Sequence, residues 1–381
     1  MRNVYWIGLG AFALGMSSYV TAGLIPLLER DLGVSAASAG QFVTAFSLAY
    51  GLGSPLFAAL LPASRQRLGL LLALAAFTLA NAASAVCASF GALLIARAAA
   101  GAGAGVYLAL GIAAAATLAP SGKRGQALAI IMAGMSAGTV LGVPLGILLA
   151  ERIGWPAAMW LITLLGALSF IGLGRALPPL PASASPSLAQ RLALLRNGRL
   201  VSVILVSFLA AIASLGLYTY LAAVLNGERI ALSLWVWGLG GIAGSLLIGP
   251  LADRYPARTL LLFILAGLTL SLAALSPALA LHPLWALPPI AIWGAVGWAL
   301  QVPQNQELIS ESGHHGAIAV ALNESALYLG GAAGAGLGGI ALAYGLPAWL
   351  LPPAAALIGL CALIWQWRLP SAGIAASTAT D

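Results

Sequence analysis

The stretch AGMSAGTVLGVPLG, residues 133–146, puts glycine at Gly134, Gly138, Gly142 and Gly146, a strict four-residue step in an uncharged run that also holds Pro144. On a helix that step makes one smooth stripe, and in lipid such small-residue faces let a neighbouring backbone come close and supply much of helix association. The stretch therefore predicts a membrane helix with a neighbour at backbone distance. Two readings stand: plain tight packing, or a face on which two halves of a molecule slide, with a partner in the second half of the chain.

Composition sets the solvent. Of 381 residues, 61% are hydrophobic and 7% charged, and the mean hydropathy of +1.02 lies far above that of a water-soluble domain, so lipid must face most of the surface. The chain reads as an all-α, multi-pass membrane protein. Arg2 precedes an apolar run that continues to about Pro26, long enough to span and followed by further spans, so it reads as a retained helix rather than a cleaved signal. Cys87 and Cys361 lie far apart in apolar segments and read as small buried hydrophobes, not as a disulfide or metal pair. A formal charge of +7 would suggest nucleic acid in a soluble protein; here cytoplasmic loops account for it and no nucleic-acid partner is expected. The absence of a GxxxxGK[ST] stretch argues against direct ATP hydrolysis, and no enzyme activity, cofactor or metal site is expected. His314 and His315 have no acid or cysteine spacing that would make a metal site.

Charges and turn residues cut the chain into apolar segments of roughly 20 residues, the length that crosses a hydrocarbon core of about 30 Å. Twelve are read, near 4–27, 40–61, 68–88, 91–118, 126–150, 157–174, 200–222, 231–251, 259–280, 284–305, 316–341 and 347–367. Between the sixth and seventh, residues 178–199 hold Pro178, Pro179, Pro181 and Pro186, then Arg191, Arg196 and Arg199, the pattern of a linker with a short basic helix on the membrane surface. The predicted organisation is a six-helix bundle over 1–177, a cytoplasmic linker over 178–199, a second bundle over 200–368 and a cytoplasmic tail over 369–381.

Lys and Arg fix the expected orientation. With the N-terminus inside, Arg2, Arg65, Arg67, Lys123, Arg124, Arg175, Arg191, Arg196, Arg199, Arg254, Arg258 and Arg368 are cytoplasmic, and the outer loops keep Arg30, Arg152 and Arg229. Glu29, Asp31, Glu151 and Glu228 fall outside; Asp253, Glu307, Glu311 and Asp381 fall inside or at the inner edge. Arg97 and Glu324 are left within spans. An internal repeat supports the division: Gly330, Gly334 and Gly338 step by four in segment eleven as the opening stripe does in segment five, and Arg254 and Arg258 after segment eight answer Arg65 and Arg67 after segment two.

These residues carry a family likeness. RxxxGxGxG in segment four (Arg97, Gly101, Gly103, Gly105), the glycine–proline stripe in segment five, GxxxDRxxxR after segment eight (Gly249, Asp253, Arg254, Arg258) and GLIPLLERDLGVS at 23–35 resemble the major facilitator superfamily, and within it the bacterial drug:proton antiporter and sugar-efflux (arabinose efflux permease) branch. The resemblance covers nearly the whole chain and implies twelve transmembrane helices in two pseudo-symmetric six-helix bundles, in the bacterial cytoplasmic (inner) membrane with both termini inside. It implies export of a small organic solute by alternating access, coupled to protons; a facilitator or importer without obligatory coupling is the alternative. Two departures stand out. The loop after segment two reads AALLPASRQR, with Pro62 and Ala63 where the family keeps Asp and Arg, so the inner latch is expected at the second copy, with Asp253 facing a helix N-terminus and Arg254 or Arg258 pairing with Glu307 or Glu311. Segment one has Ser17, Ser18 and Tyr19 where many relatives place an acid, so it cannot carry the proton.

A charge inside hydrocarbon costs about 2.5–3.5 kcal/mol even on lenient insertion scales, so Arg97 and Glu324 must face protein or water. Arg97 either ties carbonyls and hydroxyls of the bundle or binds an anionic substrate group or favours the charged form of a proton-carrying acid. Glu324 either hydrogen-bonds to Asn323 or Ser325 or takes protons from one side and releases them to the other. No direct pair between the two is expected. Tyr19, Tyr50, Tyr107, Tyr218, Tyr220, Trp293, Trp298, Gln301, Asn305 and Tyr328 supply aromatic and amide groups for a largely apolar cavity, while Trp235, Trp349 and Trp365 near span ends read as interfacial anchors. The expected partners are a small-molecule substrate, protons and the lipid bilayer, and a chain of this size needs no second copy to enclose a cavity, so a monomer is expected.

Overall fold

A computed structural model describes residues 1–60, 65–120, 123–178, 180, 187–226 and 229–369. The readings at Pro62, Ala63, Pro179, Pro181, Pro186, Glu228 and the tail 370–381 lie outside the described residues. Among the described residues every regular element is helical, and eleven helices are long and apolar enough to cross a membrane. These are α1 (Arg2–Leu32), α3 (Gln66–Val86), α4 (Phe90–Leu118), α5 (Arg124–Ile153), α6 (Pro156–Ala176), α7 (Gly198–Thr219), α8 (Ile230–Ala252), α9 (Ala257–Leu281), α10 (Pro283–Ser312), α11 (Gly316–Ala343) and α12 (Ala348–Arg368). Between α1 and α3 runs a further helix of 25 residues, α2 (Ala36–Leu60).

The predicted segments fall largely on these helices; the seventh, 200–222, crosses a break at Tyr220 onto a short helix, Leu221–Val224, and the tenth crosses one at Leu300 inside α10, while other differences are at the ends. Helix α10 continues to Ser312 and lifts Glu307 and Glu311 onto helix, and α1 continues to Leu32 past Glu29 and Asp31. Hydropathy marks only the part of a helix that lipid covers, whereas hydrogen bonding continues the helix into water. Local chemistry ends and starts the helices. Gly33, at φ 63° and ψ 32°, stops α1 in the left-handed conformation that glycine adopts without penalty. Ser35 Oγ then accepts from Ser38 N at 3.2 Å to start α2, and Asn197 Oδ1 accepts from Arg199 N and Leu200 N at 3.0 and 3.2 Å to start α7. The linker holds the predicted short helix, at Leu188–Leu194. Its Arg191 is buried rather than spread on a surface, and that burial holds the guanidinium below its ordinary pKa. Of the two thiols, Cys361 is exposed instead of buried.

Contacts group the chain into two compact units, one of Met1–Ser187 with Thr219–Trp235 and Ala335–Gly345, the other of Leu188–Tyr218 with Val236–Gly334 and Leu346–Asp381. Within the first unit glycines bring three helix pairs to backbone distance. A Cβ at Gly101 of α4 would collide with the Phe46 carbonyl of α2, one at Gly103 with Ala73 and Phe77 of α3, and one at Gly134 or Gly138 of α5 with the carbonyls of Gly8 or Phe12 of α1. The second unit repeats the pattern. A Cβ at Gly330 or Gly334 of α11 would meet the Phe208 or Ile212 carbonyl of α7, and one at Gly240, Gly244 or Gly294 would close the α8–α10 crossing onto backbone. The pairs α1–α5 and α2–α4 thus have counterparts in α7–α11 and α8–α10, which gives the sequence repeat a physical form.

The opening stripe faces α1. Gly134 and Gly138 meet its backbone, and Gly142 and Gly146 meet the side chain of Met16. The stripe is also not one continuous α-helix. Residues Gly138–Gly142 form a π-turn, closed by Val143 N–H donating to the Gly138 carbonyl. Pro144 has no N–H to offer the Val140 carbonyl and its ring crowds that oxygen, so the turn widens there.

Candidate functional site

Arg97 lies one turn before Gly101, on the face that α4 presses onto α2. Its side chain is 1% exposed, and its guanidinium stands 4.6 Å from the centroid of the Phe46 ring, a cation–π geometry. Nη2 donates to the Ser17 carbonyl at 2.8 Å; Nη1 donates to Ser17 Oγ at 3.2 Å and Asn81 Oδ1 at 3.1 Å and reaches Met159 Sδ at 3.9 Å. Ser17 Oγ donates in turn to Asn81 Oδ1 at 3.1 Å, and Asn81 Nδ2 to the Phe77 carbonyl at 2.8 Å. Nε has no hydrogen-bond partner, and no carboxylate pairs with the guanidinium among the described residues. The arginine therefore ties α1, α3 and α4 through neutral oxygens and keeps its whole positive charge. Ser17 is its principal partner.

Tyr107, expected in a cavity, packs against the first helix. It is fully buried, its ring fills the notch at Gly10, and its hydroxyl donates to the Ile7 carbonyl at 3.1 Å and lies 3.5 Å from Ser169 Oγ. A two-residue change of register on α4 would have sent the same side chain elsewhere, and sequence cannot tell the two apart. Tyr220 is engaged in a similar way: its hydroxyl donates to the Ala335 carbonyl at 2.7 Å, and its ring fills the notch at Gly40. Tyr50, also buried, lies 6.2 Å from Phe46 by ring centroids.

In the second unit the α8–α10 crossing gathers aromatics. Tyr218 and Trp237 are 4.7 Å apart by centroids, Trp237 and Trp293 6.2 Å, Tyr218 and Trp293 6.5 Å, and Trp237 and Trp298 5.7 Å with edges turned to faces. Such pairs contribute about 0.5–1.5 kcal/mol each beyond area burial. Trp293 Nε1 donates to Ser214 Oγ of α7 at 2.7 Å, which fixes the indole. Trp237, the hub, was missed from sequence. Its signal was the run WVWGLGG at 235–241, an aromatic one turn before the glycines that admit α10. Trp365, read as an anchor, also ties α12 to α7 by donating to the Ser202 carbonyl at 3.1 Å.

Farther along α10, Gln304 Nε2 donates to the Val203 carbonyl at 2.6 Å, while the side-chain oxygens of Gln301 and Asn305 are buried without a donor among the described residues. On α11, Asn323 is fully buried and neither its side-chain oxygen nor its side-chain nitrogen has a partner among the described residues. Buried polar atoms left unpaired in a native fold call for an explanation such as an ion, a water or a ligand. Glu324 is partly buried. Neither proposed neighbour bonds to it: Ser325 Oγ donates to the Ala321 carbonyl at 3.2 Å, and the Asn323 side chain has no hydrogen bond among the described residues. The carboxyl forms no ion pair among the described residues. Tyr19 and Tyr328 are partly buried and buried on α1 and α11.

The GxxxDRxxxR motif ends α8 and starts α9. A Cβ on Gly249 would meet open space, so this glycine is not a packing notch. The expected ion pairs are rearranged: Glu311 pairs with Arg199 Nε at 2.7 Å, Glu307 accepts from Gln366 Nε2 at 3.4 Å, and Arg258 Nη2 donates to the Trp367 carbonyl at 2.7 Å while remaining near enough to act on Glu307 electrostatically. Asp253 and Arg254 are exposed. The linker arginine at the start of α7 is closer to Glu311 than the motif's arginines are, a relation that sequence distance conceals.

Known proteins resemble the chain in sequence and in fold. The sequence profile described as Major Facilitator Superfamily matches residues 7–335. An "Inner membrane transport protein YdhP" of Escherichia coli O157:H7 is 31% identical over 364 residues, covering 94% of this chain and 93% of that protein. A "Chloramphenicol resistance protein" of Streptomyces lividans is 32% identical over 344 residues, 87% of this chain and 86% of that one. Among solved structures, a D-xylose-proton symporter superimposes with a TM-score of 0.77 over 97% of both chains at 16% identity, a likeness of fold.

Proposed function

The chain belongs to the Major Facilitator Superfamily, a class of multi-pass membrane transporters rather than enzymes, and from that premise we propose that it exports a small organic solute from the bacterial cytoplasm by alternating access, in exchange for protons. In this reading twelve helices form pseudo-symmetric bundles over 1–177 and 200–368, joined by the linker 178–199, with both termini and the tail 369–381 on the inner side of the cytoplasmic membrane. The observation that carries the coupling is the carboxyl of Glu324 in a membrane helix, which has no counter-ion or hydrogen bond among the described residues. A carboxyl with neither counter-ion nor hydrogen bond is free to take up and release a proton, and a charge there without such a role would be costly.

Substrate contacts are proposed at the aromatic group Tyr218, Trp293 and Trp298, with Gln301 and Asn305 offering unpaired amide oxygens to N–H or O–H groups, and at Tyr19, Tyr50 and Tyr328. A largely apolar surface with a few hydrogen-bonding points suits drug-like molecules, sugars or amino-acid derivatives. The relative named for chloramphenicol resistance supports export of a drug-like solute. Arg97, buried beside the first helix, is proposed to take part in proton coupling, and Gly134, Gly138, Gly142, Pro144 and Gly146 with Gly249, Asp253, Arg254 and Arg258 are proposed to govern the conformational change. In proteoliposomes with an imposed proton gradient, Glu324→Gln should abolish gradient-driven transport while preserving solute counterflow, and unchanged gradient-driven transport by that variant would overturn the assignment. One observation favours a second reading, a facilitator without obligatory coupling: Ser17 occupies the first-helix position and is engaged with Arg97. Export that persists undiminished when an uncoupler collapses the gradient would select it.

A further inference from the structure

In the second unit, α9 and α12 pack side by side, with Gly359 of α12 against Thr269 of α9, and farther along they part to leave an open-sided groove of about 480 Å³. Leu262, Phe263, Ala266, Leu363, Ile364 and Trp367 line it, with Thr259 the single polar side chain. Phe263 and Trp367 are 73% and 65% exposed, so the groove opens on the outside of the helices. One end is charged. Arg258 starts α9 and is held to the rim by its bond to the Trp367 carbonyl, Arg368 follows on α12, and Arg254 lies in the preceding turn, both exposed. The acids nearby are Asp253 and Glu307, since Glu311 is occupied by Arg199. Three guanidinium groups therefore face two carboxylates. Tyr255, three residues before Arg258, and Trp367 are both exposed, and amphipathic rings favour the headgroup region.

We propose that this groove binds one acyl chain of an anionic phospholipid from the surrounding leaflet, with the phosphate on Arg258 and Arg368. An apolar trough closed at one end by guanidinium groups matches a lipid's division into chain and phosphate, and guanidinium suits phosphate oxygens in geometry as well as charge. A second copy of this chain would instead bring its own apolar side chains and would find the excess positive charge uncompensated. The inference needs only insertion in a membrane and is independent of the transported solute.

The test uses the full chain purified in neutral detergent, with phosphatidylglycerol and phosphatidylcholine of identical chains added separately, read by native mass spectrometry and by thermal unfolding. Phosphatidylglycerol should be retained about five-fold or more over phosphatidylcholine, the preference one basic residue near a surface supplies, and should raise the unfolding temperature. Arg368→Gln, at an exposed side chain with no bond among the described residues, should reduce that preference about five-fold. Ala266→Trp, which fills the trough, should release both lipids. Equal retention of the two lipids by the unaltered protein, a preference that survives both variants, or a dimer in place of the lipid adduct would each overturn the proposal.

Discussion

At the scale of the residue, the buried guanidinium of Arg97 depends on neutral acceptors for its solvation. Hydrogen bonds to a charged group are worth about 1.5–3 kcal/mol, so Asn81→Leu should lower stability by about that amount, measured as a fall in unfolding temperature in detergent. Arg97→Lys should fail to restore function, because an ammonium cannot reach the Ser17 carbonyl, the Ser17 hydroxyl and Asn81 with one planar fork. Transport assays on protein matched for surface expression would check this. Both intramembrane charges were legible in the sequence, since a charge in an apolar run is conspicuous. Ser17 and Asn81 as partners were not, because neutral polar residues in a span give no signal of direction. Tyr107 and Trp293 look alike in a list of aromatics, yet one closes a notch at Gly10 and the other belongs to a stack around Trp237.

At the scale of the element, the glycines divide by what faces them. A methyl at Gly138 would meet the Phe12 carbonyl, which cannot yield without moving α1, whereas one at Gly142 would meet Met16 Cβ, Cγ and Sδ at 3.0–3.3 Å, part of a flexible side chain. Gly138→Ala should therefore cost about 1–3 kcal/mol and Gly142→Ala much less, compared by thermal unfolding with Gly336→Ala, where the space is open, as the reference. The four-residue step correctly announced a helix with a close neighbour. It could not say which neighbour, because spacing limits how near a backbone comes and carries no information on its identity. The widening at Gly138–Gly142 was implicit in Pro144 but competes with simple kinking, and only the packing of Met16 against the stripe selects between them.

At the scale of the whole molecule, length, hydropathy and the repeated glycine steps made the helical membrane architecture readable almost throughout, since lipid imposes a narrow menu on a spanning chain. What could not be read was which aromatic and amide side chains converge, because convergence depends on helix rotation, and rotation is set by contacts among residues far apart in sequence. The proposed orientation has its own check. In a chain with Cys87 and Cys361 replaced by serine, Asp31→Cys should react in intact cells with a membrane-impermeant maleimide, and Arg254→Cys should react only after the membrane is opened. The reverse pattern would invert the topology.

The π-turn in α5 separates two otherwise matched seams. Helix α11 runs unbroken through Gly330, Gly334 and Gly338, while α5 carries one widened turn and a Val140 carbonyl that Pro144 cannot serve. Seen as amide exchange rather than packing, the α1–α5 seam is then the softer of the pair: backbone protons at 139–143 should exchange with deuterium well before those at 331–338, and a molecule built as a repeat would open unevenly, yielding first in its first half.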